Sequence, residues 1–210
     1  MARNARAVAV GYPHHITQRG NNSEPVFLDD QDRLIYTDLL RHYTQKFRVD
    51  IWSYCLMPNH VNLFAVPQES GALALGVGRT NQVYTRYVNR KYLRSGRVWQ
   101  NHFYSCIVDS DDYLWSVARY IENNPVKAGL VSTAAEYLWS SARFHLEGCA
   151  DPLLSCPDWL VEDERNDYRQ YILAADEAMR KTIDQATRSG RPLCKPSMLL
   201  KFEELLGRTF

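Results

Sequence analysis

The chain has 210 residues, of which 45% are apolar, and a formal net charge of +1. That length supports one full core plus an appendage, and no apolar run approaches the roughly 20 residues of a membrane span. Five scattered cysteines make a poor disulfide framework, and the first ten residues are too weakly apolar for a secretory leader, so a reducing, cytoplasmic setting with no membrane partner is expected. His145, Cys149 and Cys156 lack the Cys-x-x-Cys pair that would argue for zinc.

In chain order, Pro13 to Arg19 alternates β-branched and polar positions and predicts a strand, closed by Gly20-Asn21-Asn22. Asp29-Asp30-Gln31-Asp32 offers an acidic helix start, and Leu34, Ile35, Leu39, Tyr43 and Phe47 recur near helical spacing over about 30–48. Asp50 to Cys55 and His60 to Val66 predict neighbouring strands around a turn at Met57-Pro58-Asn59. Residues 71–93 predict a second long helix and 102–108 another strand. Ser110-Asp111-Asp112 predicts the N-cap of a third helix, which Pro125 ends or kinks. This order describes an α+β sandwich, an antiparallel sheet covered by helices. From about His145 the pattern weakens. Asp163 to Arg180 and Ser197 to Leu206 predict helices, so the chain divides into a core, 1–144, and a mostly helical C-terminal appendage, 145–210.

Charge is unevenly spread. Ser70 to Val108 contains no Asp or Glu, yet carries Arg79, Arg86, Arg90, Lys91, Arg94 and Arg97. Such a segment reads either as a polyanion-binding surface or as a solvated helix face. Tyr84, Tyr87, Tyr92 and Trp99 are interleaved with it and offer stacking surfaces for unpaired bases.

Two segments about sixty residues apart carry the chemistry: Leu56 to Val66 and Ala118 to Val126. On a strand, His60 and Asn62 share a face, and imidazole nitrogen and amide oxygen both bind divalent cations. On a helix, Tyr120 and Asn124 share a face. If that helix packs over the strand, His60, Asn62 and Asn124 surround one ion beside a phenol able to act as nucleophile. Taken one at a time, a His beside an Asn is more often a hydrogen-bonded pair, and a Tyr on an apolar helix more often core.

These segments resemble the single-tyrosine transposases of the HUH endonuclease superfamily, in particular the REP-associated tyrosine transposases. Pro13 to Asn22 is similar to the family's first strand, Tyr54 to Val61 to its metal-binding strand and Tyr120 to Val131 to its nucleophile helix. Trp139 to Arg143 and Gly190 to Leu193 also look familial. The resemblance implies a ferredoxin-like core that binds single-stranded DNA near a hairpin. It implies Tyr120 attacking a phosphate to give a 5′-phosphotyrosine and a free 3′-OH. It implies Mg2+ or Mn2+ held by His60 and Asn124. The family motif is His-hydrophobic-His, whereas here it reads His60-Val61-Asn62.

Three readings follow: Asn62 binds the ion through its oxygen with lower affinity; the chain is a domesticated binder of palindromic repeats; or the asparagine is an engineered change. DNA binding is expected to persist, with cleavage reduced or manganese-dependent. Arg19 and Lys127 join the candidate DNA contacts, and Arg188, Arg191 and Lys195 are candidates for hairpin reading. A general metal-dependent hydrolase is disfavoured because no carboxylate cluster accompanies His60. A monomer is favoured over a dimer.

Overall fold

The computed structural model describes residues 6–155, 160, 164–174 and 176–210, with backbone alone for 110–112. The Ser110-Asp111-Asp112 cap, Cys156 and the start of the helix expected from Asp163 therefore lie outside what is described.

Four strands form one antiparallel sheet: β1 (His14–Arg19), β2 (Val49–Met57), β3 (His60–Pro67) and β4 (Tyr104–Ile107), in the order β2-β3-β1-β4. Helices α1 (Asp30–Lys46) and α2 (Ala72–Lys91) connect β1 to β2 and β3 to β4. This is the βαββαβ arrangement of a ferredoxin-like core, as the resemblance implied. Because side chains alternate along a strand, the sheet has two chemically distinct faces. Ile16, Leu63 and Ala65 point with Tyr36, Leu40, Leu73, Val77 and Tyr84 into the core under α1 and α2. Cys55, Phe64 and Cys106 point the other way, against Val117 and Ile121 of α3 (Ser110–Glu122) and Ile183 of α7 (Glu177–Ser189).

The first face is closed by a polar clamp. Asp29 caps α1 by accepting the Asp32 N–H at 2.9 Å. The buried Asp32 carboxylate accepts from Leu28 N–H (2.9 Å), Lys91 Nζ (2.8 Å), Tyr92 Oη (2.8 Å) and Tyr87 Oη (3.1 Å). The start of α1 is thus tied to the end of α2.

Pro125 does break its helix. α3 stops at Glu122 and a short α4 (Asn124–Lys127) follows. Proline lacks the N–H that would reach the Ile121 carbonyl, and the Asn124 side chain supplies it instead, Nδ2 donating to Tyr120 O (2.8 Å) and Ile121 O (3.3 Å).

Beyond this lie α5 (Ala142–Glu147), α6 (Arg165–Leu173), α7 and α8 (Pro196–Leu206). The single helix expected over 163–180 is two helices. α6 ends where Ala174 turns extended (φ −74°, ψ 123°), and Asp176 caps α7 by accepting from Met179 N. The break is tolerated because α3 reaches across: Asn123 Nδ2 donates to Ile172 O and Arg119 Nη1 to Ala174 O, which serves the carbonyls left open at the end of α6. Among the described residues, C-terminal side chains pack onto the rest of the chain, Tyr168 and Ile172 joining Ala118 of α3. Ile183 and Leu193 complete the cluster around Phe64 and Val117, while Leu193 exchanges hydrogen bonds with Ile107 and Asp109.

Candidate active site

β1 and β3 pair with Thr17 opposite Asn62 and Arg19 opposite His60. Paired residues share a face, so Arg19, Thr17, His60 and Asn62 all project toward α3 and α7. There they line a cleft of about 480 Å3 together with Tyr120, Asn124, Arg180, Asp184 and Arg188.

Each side chain is held in a defined state. His60 Nδ1 lies 2.7 Å from Asn59 Oδ1, and Asn59 Nδ2 donates to Ser23 O. The amide is therefore oriented with its oxygen toward the ring, so Nδ1 carries the proton and Nε2 keeps a lone pair. Burial, with Arg19 and Arg180 nearby, lowers the His60 pKa to about 4, so the imidazole is neutral at neutral pH. Asn124 spends its amide hydrogens on the last carbonyls of α3, which leaves Oδ1 with no partner among the described residues. Neither amide atom of Asn62 completes a hydrogen bond, although both are buried. A buried polar atom without a partner calls for an explanation.

Tyr120 donates from Oη to Asp184 Oδ1 at 2.7 Å. Burial first, then the hydrogen bond and charge of Asp184, push its pKa well above the usual phenol value, and Arg180 and Arg19 only partly oppose this. The resting side chain is a neutral phenol with a carboxylate already at its proton. The Arg180 guanidinium stands 5.3 Å from the Tyr120 ring centre. Three guanidiniums, Arg19, Arg180 and Arg188, face one carboxylate, Asp184, so the cleft is suited to an anionic ligand.

The family described as "Transposase IS200 like" matches residues 10–124, just over half of the chain. The chain belongs to the IS200-like transposase family. It is similar to a Haemophilus influenzae (strain ATCC 51907 / DSM 11121 / KW20 / Rd) protein named as a REP-associated tyrosine transposase, 24% identical over 151 residues that cover 64% of this chain and 85% of the relative. A solved REP-associated tyrosine transposase bound to a REP hairpin shares the fold, with TM-score 0.60 and 17% identity over 76% of this chain and 93% of that one. The present IS200-like chain carries an amide, Asn62, two residues after His60.

The residues singled out in sequence separate into two groups. His60, Asn62, Tyr120, Asn124 and Arg19 meet in the cleft. The basic segment does not, because α2 covers the opposite face of the sheet. Lys91 is ion-paired with Asp29 (2.6 Å) and Asp32 (2.8 Å), and Arg94 lies 3.7 Å from Glu24, while Arg79, Arg86, Arg90 and Arg97 are exposed. Tyr84 and Trp99, offered above as stacking surfaces, are buried in the core, and Tyr87 and Tyr92 bond Asp32. Lys127 is ion-paired with Glu177 and stands outside the cleft. Arg180 and Asp184 were not foreseen. Their signal was present in the four-residue spacing of Arg180, Asp184 and Arg188, a polar stripe on the helix that turns Ile183 inward.

Proposed function

We propose that this chain is a single-tyrosine DNA strand transferase that binds hairpin-forming single-stranded DNA and cleaves and rejoins it through Tyr120. The observation that carries this reading is the convergence of His60, Asn62, Asn124 and Tyr120 in one arginine-lined cleft. A phosphodiester bound there meets Arg19, Arg180 and Arg188. The Tyr120 oxygen attacks phosphorus as its proton passes to Asp184 Oδ1, 2.7 Å away. The bond to the 3′ oxygen breaks, that oxygen is protonated by solvent, and a 5′-phosphotyrosine remains until another 3′-OH reverses the step.

Among the described residues no three His, Cys, Asp or Glu side chains gather to hold a metal ion. The donor set that would hold one is His60 Nε2 with the amide oxygens of Asn124 and Asn62. An imidazole with oxygen donors fits a hard cation, Mg2+ or Mn2+, and fits a thiophilic one poorly. Such an ion, when bound, would polarise a phosphoryl oxygen and offset the charge that builds up in the transition state. Residues 145–210, through Arg188, Arg191 and Lys195, are proposed to contact the hairpin, with Arg79, Arg86, Arg90, Arg94 and Arg97 left to longer-range attraction of the DNA.

A second reading, a binder of palindromic repeats that no longer cleaves, is favoured by one observation: position 62 carries a neutral amide where the family motif has imidazole. Hairpin DNA from the source genome, incubated with Mn2+ and run on a denaturing protein gel, separates the two. A covalent adduct that disappears in Tyr120→Phe establishes the transferase. An adduct seen only after Asn62→His establishes the binder. Hairpin binding with no adduct from either protein refutes Tyr120 as nucleophile.

A further inference from the structure

An asparagine differs from a histidine ligand in one respect that matters at position 62. Its two ends are nearly the same shape but opposite in polarity, and only the oxygen can face a cation. Something must distinguish them: Asn62 stands close enough to His15 to act on its charge state, yet neither amide atom completes a hydrogen bond of good geometry.

His15 stands on β1 two residues before Thr17, two pairs along from the Thr17–Asn62 pair and on the same face, which makes it the diagonal neighbour of Asn62. It is 1% exposed. Its tautomer can be read from a chain of hydrogen bonds. Thr187 Oγ1 donates to Ile183 O at 2.8 Å, as a helical threonine does to the preceding turn. With the hydroxyl proton directed to Ile183 O, Thr187 Oγ1 is left to accept from Cys106 Sγ at 3.4 Å and from His15 Nδ1 at 2.7 Å, which assigns the ring proton to Nδ1. His15 Nε2 is left with a lone pair, buried and without a completed hydrogen bond. The edge-on Tyr120 ring, 5.1 Å between centres, closes the imidazole off from one side. Three buried polar atoms, His15 Nε2 and both amide atoms of Asn62, thus share one corner of the sheet with no other partner completed.

We propose that His15 is the positioning residue for Asn62: its bare Nε2 accepts from Asn62 Nδ2, which turns Oδ1 toward the cleft lined by His60 and Asn124. The relay runs from Ile183 and Thr187 on α7, through β1, to the ligand on β3. It requires the amide to present its nitrogen to His15, which exchanges two ends of nearly the same shape. A proton on Nε2 would reverse the polarity and turn the amide the wrong way, so the threonine at the far end sets the sense of the whole chain. The proposal rests on the metal reading of the cleft given above.

The test uses the full chain with Mn2+ alone as probe, bound Mn2+ being followed by electron paramagnetic resonance. His60→Ala and Asn62→Ala should both weaken binding; if neither does, the metal reading itself fails and this proposal with it. Given that weakening, His15→Leu should lower Mn2+ affinity by about tenfold or more, the usual effect of removing a partner that orients a ligand. His15→Gln, whose Oε1 can accept from the same amide, should stay close to the parent. Thr187→Val, which keeps His15 but removes the acceptor that fixes its tautomer, should weaken binding in the same direction. It also serves if His15→Leu does not fold. Parent-like affinity in His15→Leu, or in Thr187→Val where the leucine variant does not fold, overturns the proposal. Pulsed measurements of nitrogen coupling to Mn2+ give an independent check. One directly bound imidazole, unchanged in His15→Gln, is expected. Two in the parent and one in the variant would make His15 a ligand itself and overturn its role as positioning residue.

Discussion

Glu122 follows Tyr120 by two residues on α3 and points away from the cleft into a fully buried polar hub. Its carboxylate accepts from Ser141 Oγ (2.5 Å), His145 Nδ1 (2.5 Å) and Tyr168 Oη (2.8 Å), with Ser53 Oγ at 3.4 Å. These partners come from β2, α5, α6 and the residue before α5, so one side chain ties α3 to the sheet edge and to the C-terminal helices. In Glu122→Leu the volume is roughly kept while the acceptors vanish. Ser141 retains Ser53 Oγ at 3.0 Å and Tyr54 O at 3.3 Å as alternatives. His145 Nδ1 and Tyr168 Oη lose this acceptor, at about 1–3 kcal/mol each. The expected loss is about 3 kcal/mol, a large share of the roughly 5–15 kcal/mol that holds a domain together. Glu122→Gln keeps an oxygen and should cost about half as much. Urea unfolding followed by the fluorescence of the five tryptophans measures both. A loss below about 1 kcal/mol in Glu122→Leu at unchanged denaturant slope would refute the hub as the anchor of α3.

Three further outcomes are expected. Asp184→Asn removes the proton acceptor at Tyr120 Oη, so adduct formation with Mn2+ should slow by about 100-fold or more while hairpin affinity holds or improves; an unchanged rate would show that the proton leaves by another route. Stability should fall on mild acidification. His14 donates from Nδ1 to Tyr12 O and accepts from Ala9 N at Nε2, and burial lowers its pKa to about 4, as it does for His15. The unfolded chain takes up protons near pH 6.5 and the folded chain does not, so this stability is fully present above 6.5 and is lost down to about pH 4. It amounts to about 3 kcal/mol for each histidine, and a urea midpoint that stayed flat from pH 7 to 4.5 would contradict it. Gly20→Ala should destabilise the exit of β1 by about 1–3 kcal/mol, since a Cβ there meets Glu24 O at 2.3 Å and Val26 Cγ1 at 2.8 Å; thermal melting equal to the parent would mean that the loop yields freely.

Local signals made much of this protein legible before folding. The period-2 run of β1, the acidic start of α1, the proline after Asn124 and the i, i+2 and i, i+4 pairs of the site all report spacing along a single element, and spacing survives in a linear chain. His60 with Asn62, and Tyr120 with Asn124, were therefore readable as pairs. That the two pairs meet depends on α3 lying across β3, a contact between residues about sixty positions apart. The basic stretch shows the opposite case. Its charge was plain, but its placement on the far face of the sheet follows from which side of the strands Leu73, Val77 and Tyr84 bury. The roles of Asp184 and Thr187 went unread for a related reason. The spacing of Asp184 with Arg180 and Arg188 marks a polar stripe but not what it meets, and both residues acquire their meaning only when α7 packs Ile183 into the cluster around Val117 and brings a carboxylate to Tyr120 and a hydroxyl to His15. Covalent order specifies which side chains share a face, whereas burial of apolar surface selects which faces meet, and the chemistry of this cleft is made where they do.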